Sequence, residues 1–105
     1  MTYTTDTAAE GLAALGHAAR LAVFRLLVRA GPDGLRVGDV AAHLDLAPST
    51  LAHHMRGLVQ AGLVTQTRAG REVWLRVDFD ATRTLLGFLT EECCCGVTLQ
   101  RTDAA

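Results

Sequence analysis

Two short helices joined by a tight turn constrain this 105-residue chain more than any other feature. In residues 36–45, apolar side chains recur three or four positions apart and form one helical stripe: Val37, Val40, Ala41 and Leu44. Pro48 lies four positions after Leu44. It suits the first turn of a helix because its missing N–H needs no partner there. The second helix runs to Gly62, a residue that readily ends a helix. The spacing predicts a helix-turn-helix within residues 36–62.

The sequence before this pair predicts two further helices. Residues 7–15 and 18–30 are rich in Ala, Leu and Val, and Gly16 interrupts them. A Gly-Pro-Asp-Gly turn at residues 31–34 ends the second helix, since proline fixes one backbone angle and glycine relaxes the others. We therefore expect an N-terminal helical pair over residues 7–30.

The sequence after the pair predicts a β-hairpin and a last helix. Residues 63–68 and 72–77 flank a turn that contains Gly70, and in the second segment Val73, Leu75 and Val77 alternate with Trp74 and Arg76. This predicts a two-stranded wing within residues 63–77. A helix over residues 80–95 carries an apolar stripe without an obvious partner in so small a fold, so we expect it to pack against a second subunit. The stripe consists of Leu85, Leu86, Leu89 and Cys93. Residues 96–105 form a tail, polar and disordered from Thr98 onward.

The expected fold class is mainly α (α+β): a single winged helix-turn-helix domain, residues 1–105, with about five helices and a two-stranded hairpin. The start of the chain lacks a signal-like apolar run, and no stretch approaches the ~20 apolar residues that span a bilayer. We expect a cytoplasmic protein without membrane contact. The net charge of −1 is unusual for a nucleic-acid binder, but residues 20–77 hold eight arginines against four acidic residues.

The second helix of the pair has one open face with the chemistry of a DNA reader. At 3.6 residues per turn, Leu51, Met55 and Leu58 share one face, and Ser49, His53 and Arg56 point away from it. Hydroxyl, imidazole and guanidinium groups contact base edges and phosphates in a major groove. The predicted DNA-binding residues are Ser49, Thr50, His53, His54, Arg56 and, at the wing tip, Arg68 and Arg71. For His54, at the edge of the apolar face, a core position is an equal alternative.

Three parts of residues 8–95 form a combined pattern: residues 15–27, residues 46–64 and the wing residues Arg68, Gly70 and Arg71. This pattern resembles the ArsR (ArsR/SmtB) family of winged helix-turn-helix repressors. Its most specific part is His53-His54 followed by Ala-Gly-Leu-Val at 61–64; Ala52 replaces the usual serine. It implies a homodimer that binds an inverted repeat of double-stranded DNA and represses transcription.

Three adjacent cysteines, Cys93, Cys94 and Cys95, form the candidate sensor. The resemblance also leads one to look for a Cys-x-Cys pair at residues 35–40 and for a histidine-containing zinc site in the last helix, and both are absent. Cytoplasmic cysteines stay reduced, and soft thiolates select thiophilic ions. Three thiolates saturate trivalent arsenic, As(III), and the cluster is similar to relocated arsenite sites in some family members. Antimony, Sb(III), is the related alternative.

Helix geometry limits how the three cysteines can bind one ion. Successive residues on a helix point ~100° apart, so three neighbours cannot converge on one ion. We expect the helix to end near Gly96 and Cys93 to remain on the apolar stripe. Other interpretations stay open: a Cd, Pb or Zn sensor, a redox sensor, or small apolar residues at a dimer interface.

The sequence thus predicts a repressor that releases its operator when a thiophilic ion, first of all trivalent arsenic, binds. An enzyme is not expected, because no phosphate loop or oriented Cys-His pair is present. A winged-helix interaction module without DNA binding is the alternative from another class. Histidines 17 and 43 are interpreted as ordinary polar positions.

Overall fold

A computed structural model describes residues 2–99 of the chain. Its elements confirm the expected α+β winged helix-turn-helix fold. The helices are α1 (Thr5–Leu15), α2 (Ala18–Ala30), α3 (Val37–Leu44), α4 (Pro48–Gln60) and α5 (Phe79–Thr90). The strands are β1 (Leu35–Arg36), β2 (Val64–Ala69) and β3 (Glu72–Val77).

Local capping chemistry sets several helix boundaries. The Thr4 hydroxyl accepts a hydrogen bond from the Thr7 amide, so α1 begins two residues before the expected position 7. The His17 ring accepts one from the Ala19 amide at 3.2 Å and caps α2, so His17 is more than an ordinary polar position. Asp45 adopts a left-handed conformation, φ 51°, and ends α3.

The sheet has three antiparallel strands in the order β1-β3-β2, one more than the predicted hairpin. Leu75 pairs with Gln66 on one side and with Leu35 on the other. Two-residue β1 is too short to produce a period-two signal in the sequence. Gly34 allows the pairing, because its φ is +73° and a side-chain carbon there would collide with the Leu75 carbonyl.

The core lies between the helices and the inner face of the sheet. Fully buried residues come from α2, α3, α4, β2 and β3, and α5 adds Leu85. Leu85 packs against α1 at Gly11, where an added side-chain carbon would lie 3.3 Å from one of its methyl groups. This contact fixes α5 beside α1. The largest fully buried side chains are Leu27, Leu51, Leu58, Leu75 and Leu85.

The last helix ends at Thr90, so the expected helix over residues 80–95, with Cys93 on its stripe, was too long. Two adjacent carboxylates follow, Glu91 and Glu92, and negative charge at a helix C-terminus opposes the helix dipole. Glu92 already has φ +62°. The cysteines therefore lie in a turn beyond the helix.

The expected disordered tail lies, from residue 100 onward, outside the described residues. Within residues 2–99, no single helix is both long and apolar enough to cross a membrane. Taken together, α1 and α2 reach that length and composition, but they are bent by 97° at their junction.

Candidate nucleic-acid interface and thiol cluster

Helix α4 has the open face that its sequence predicts. Ser49, Thr50, His53 and Arg56 are exposed, whereas Leu51, Met55 and Leu58 are at most 3% exposed. Pro48 occupies the first turn of α4, as expected. Four polar side chains therefore project from one rigid helix whose other face is anchored in the core. Their contact with DNA stays a prediction.

His54 lies in the core and not on the DNA-facing surface. Its side chain is 7% exposed, and its ring centroid lies 5.0 Å from that of His17 and 5.7 Å from that of His53. The expectation of a DNA contact by His54 is therefore corrected. The reason is helix periodicity, since residue 54 lies ~100° from residue 53 and turns towards Leu58.

Burial gives His54 an unusual electrostatic environment. Its Nδ1 atom is buried and has no hydrogen-bond partner within the described chain. Burial lowers the pKa of His54 below its ordinary value of 6.5, and charges on His17, His53 and Arg20 lower it further. His54 is thus neutral under conditions in which an exposed histidine begins to take up a proton.

The wing tip presents unpaired guanidinium groups. Arg68 lies on β2 and Arg71 follows the turn at Gly70, and both are exposed. Among residues 2–99, neither they nor Arg56 forms a salt bridge, unlike Arg36, which binds Asp39 and Glu72 at 3.0 Å. Hydrogen bonds to these two carboxylates raise the pKa of Arg36. Free arginines suit phosphate contacts better than arginines already paired within the protein.

The outer face of the sheet carries a feature that sequence analysis did not single out. The Trp74 ring lies 5.8 Å from the Arg36 guanidinium and 5.5 Å from that of Arg76, within the range of cation–π contacts. The Arg76 guanidinium also donates to the Thr67 hydroxyl at 2.7 Å. Trp74 and Arg76 are two positions apart on β3, so the sequence places them on the same face of the sheet. Arg36 reaches Trp74 only because β1 pairs with β3, which the sequence analysis did not predict.

The three cysteines occupy one exposed turn after α5. The sulfurs of Cys93 and Cys94 lie 2.7 Å apart, and the Cys95 sulfur lies 3.9 Å from the Cys93 carbonyl oxygen. Cys94 has φ +67°, and the Cys95 amide donates to the Glu92 carbonyl. The turn therefore brings two thiols together and directs the third towards the backbone.

This turn is not a preformed ion site. In the part of the chain that the structure describes, no three His, Cys, Asp or Glu side chains are arranged to hold one metal ion. The hydrogen bond with Cys94, together with slight desolvation, raises the pKa of the Cys93 thiol above its ordinary value of 9.0. A thiol with a raised pKa reacts more slowly with oxidants, because the thiolate is the reactive form.

An apolar stripe lies open on α5. Leu86 and Leu89 are 58% and 51% exposed, whereas Leu85 on the same helix is buried against α1. Leu12 on the neighbouring helix α1 is also exposed, and the Phe88 ring packs edge-on against Tyr3. Of the residues predicted to form the stripe, Leu86 and Leu89 lack a partner in the described chain.

Comparisons with known proteins agree with this geometry. A family profile described as a helix-turn-helix domain matches residues 15–67, half of the chain. A search of curated proteins finds no match. Solved structures similar to this one include an ArsR family transcriptional regulator, with a TM-score of 0.71 and 23% identity over 88% of this chain and 92% of that one.

Two other solved structures add detail. A possible transcriptional regulator for arsenical resistance has 28% identity and a TM-score of 0.67, over 76% of this chain and 80% of its own. A homodimeric winged helix-turn-helix DNA-binding domain from Mycobacterium bovis has 20% identity and a TM-score of 0.67, over 95% and 100%. The chain belongs to the helix-turn-helix domain family and has the winged DNA-binding fold of ArsR-family transcriptional regulators.

Proposed function

We propose that this protein is a homodimeric transcriptional repressor that binds an inverted-repeat operator and releases it when trivalent arsenic binds Cys93, Cys94 and Cys95. The observation that carries the proposal is the grouping of three exposed thiols in one turn, directly after the helix with the open apolar stripe. Each part of the proposal depends on separate contacts.

DNA binding is supported by the charge and shape of one surface. The exposed polar face of α4 can enter a major groove. Arg68 and Arg71 at the wing tip, which form no salt bridge within residues 2–99, can reach the adjacent backbone. In a two-fold dimer, two copies of α4 meet successive major grooves, and an inverted repeat matches that symmetry.

Dimerisation is supported by the exposed leucines of α5. Leu86 and Leu89 are each more than half exposed, and Leu12 of α1 is 43% exposed. Burying apolar surface of this kind stabilises association by roughly 25 cal/mol per Å². The structural neighbour from Mycobacterium bovis is itself homodimeric.

Arsenic binding is supported by the chemistry of the thiols. Arsenite exchanges its hydroxyl groups for thiolates, and each As–S bond that forms releases one water molecule. Cys93 and Cys94 already lie side by side, and a change in the turn at Cys95 would supply the third sulfur. A similar solved structure is that of a possible regulator for arsenical resistance. The cytoplasm, the expected place of action, keeps such thiols reduced.

The position of the turn suggests how binding reaches DNA. The Cys93 amide donates to the Thr90 carbonyl at the last residue of α5, so a change at the thiols alters the end of that helix. Since α5 is the proposed dimer helix, the relative position of the two α4 helices would change with it. A coupling of ~3 kcal/mol weakens operator binding about a hundredfold.

Fluorescence anisotropy of the reduced protein on its own upstream DNA, at one fixed salt concentration, tests the proposal. We expect tight binding that stoichiometric arsenite abolishes, and we expect the variant with all three cysteines replaced by serine to bind DNA equally but ignore arsenite. Release of DNA from the serine variant would contradict the sensor assignment.

The same assay with other additives distinguishes the alternative inducers. Antimonite should act as arsenite does. If cadmium, lead, zinc or peroxide releases the DNA and arsenite does not, the protein is still a repressor but its inducer is not arsenic. An affinity for DNA that does not depend on salt would contradict the repressor itself, because phosphate contacts release counterions.

A further inference from the structure

We infer that Arg20 of α2 is a positioning residue for the recognition helix α4, acting through close contact between its guanidinium and the backbone at Gly57. The inference rests on the proposed DNA binding, since α4 is the helix that would read bases. It concerns a residue outside the predicted DNA-contacting set.

The first observation is the absence of space at Gly57. A side-chain carbon built there would lie 2.8 Å from Nη1 of Arg20, 3.0 Å from its Cζ and 3.3 Å from its Nε. The whole guanidinium therefore lies against the α4 backbone. Glycine weakens the interior of a helix, so its presence in α4 has a structural reason here: it makes room for Arg20.

The second observation is that no salt bridge among residues 2–99 anchors the Arg20 guanidinium. Its Nε atom is buried without a hydrogen-bond partner in the same residues. Arg20 and Glu10 both line a cleft of about 350 Å³, but these two side chains form no salt bridge with each other among the described residues. Packing against Gly57, and not an ion pair, is therefore the contact through which Arg20 would position α4.

The third observation is where this contact lies on α4. Helix geometry places Gly57 about 40° from His53 and about 60° from His54, between the open face and the core. The buried His54 packs on the same flank, against the His17 ring at the start of α2. Arg20 and His17 thus support α4 beside the side chains predicted to meet the bases.

A small displacement of α4 has a large consequence for base contacts. Recognition side chains need placement within about 0.5 Å of their productive geometry. A methyl group at position 57 would lie 2.8 Å from the far end of the Arg20 side chain, so the guanidinium would have to leave its place against the α4 backbone. The part of α4 that carries His53 and Arg56 would then lose this support.

The experiment compares Gly57→Ala, Arg20→Ala and the double variant with the unaltered protein. Anisotropy measures affinity for the operator and for unrelated DNA at the same salt concentration, and circular dichroism reports folding. Gly38→Ala is the matched control, because it adds the same methyl group to α3, where the added carbon would have no atom within 4 Å outside its chain neighbours and its own helix backbone. Arg20→Lys tests whether a cation without the planar group suffices.

We expect Gly57→Ala and Arg20→Ala each to lower operator affinity about tenfold, comparable to the loss of one base contact. Affinity for unrelated DNA should stay within about twofold, because phosphate contacts dominate it. In the double variant the two losses should not multiply, since alanine at position 20 removes the collision. Gly38→Ala should bind as the unaltered protein does, and Arg20→Lys should recover part of the affinity.

Two outcomes would overturn the inference. One is unchanged operator affinity in Gly57→Ala, and the other is an equal loss on operator and unrelated DNA in a folded variant. A failure of the unaltered protein to bind its operator would instead refute the proposed function, so the two failures are distinguishable.

Discussion

Replacing His54 with leucine should stabilise the protein and remove part of its sensitivity to acid. His54 is 7% exposed, and its Nδ1 atom has no hydrogen-bond partner among the described residues. A buried polar atom without a partner costs about 1–3 kcal/mol. Leucine fills a similar volume without that atom, although the change of shape offsets some of the gain.

The net gain we expect at pH 7 is about 1 kcal/mol, which corresponds to a rise in Tm of about 4–8 °C for a domain of this size. Thermal unfolding followed by circular dichroism measures it. The protein concentration must be held constant, because the Tm of a dimer depends on concentration.

The pH dependence gives a second readout. Burial holds the pKa of His54 below 6.5 in the folded protein, so the unfolded chain takes up the proton first as pH falls. The contribution of His54 to stability is therefore complete above about pH 6.5 and is lost as the pH falls towards its folded pKa. His54→Leu should make the stability less dependent on pH in this window.

His43→Gln is the control, because His43 is exposed on α3, away from the His17, His53 and Arg20 groups that face His54. The loss of stability below about pH 6.5 should match that of the unaltered protein. A lower Tm in His54→Leu, or an unchanged loss of stability in acid, would refute the reasoning.

Three further predictions concern the wing, the dimer and the core. Arg71→Ala should weaken operator binding and reduce the slope of log affinity against log salt by about one, measured by anisotropy; an unchanged slope would remove Arg71 from the phosphate contacts. Leu89→Glu should give a monomer in sedimentation velocity, and a persistent dimer would exclude α5 from the interface. Leu85→Ala should lower the free energy of unfolding by about 2–5 kcal/mol in urea titrations, whereas a loss below about 1 kcal/mol would mean that α5 is not anchored at Gly11.

Periodicity and turn chemistry were sufficient to predict most of the architecture. The apolar stripe ending at Leu44, the proline at position 48 and the polarity alternation along β3 are local signals, and each produces an element near the expected position. The open face of α4 followed from the same reasoning, because helix geometry alone separates His53 from Leu51. The thiol cluster is evident from the order of residues alone, since its three cysteines are consecutive.

What local sequence left undecided depends on contacts between distant residues. Strand β1 exists because Leu35 meets Leu75, far along the chain, and Gly34 lets the two strands approach. His54 is buried because α2 covers it, and Arg20 meets Gly57 for the same reason. Helix α5 ends at Thr90, where Glu91 and Glu92 follow. Their negative charge opposes the helix dipole and disfavours further helix, although the apolar stripe favours it. Periodicity specifies which face of an element is apolar, and packing between elements specifies what that face meets.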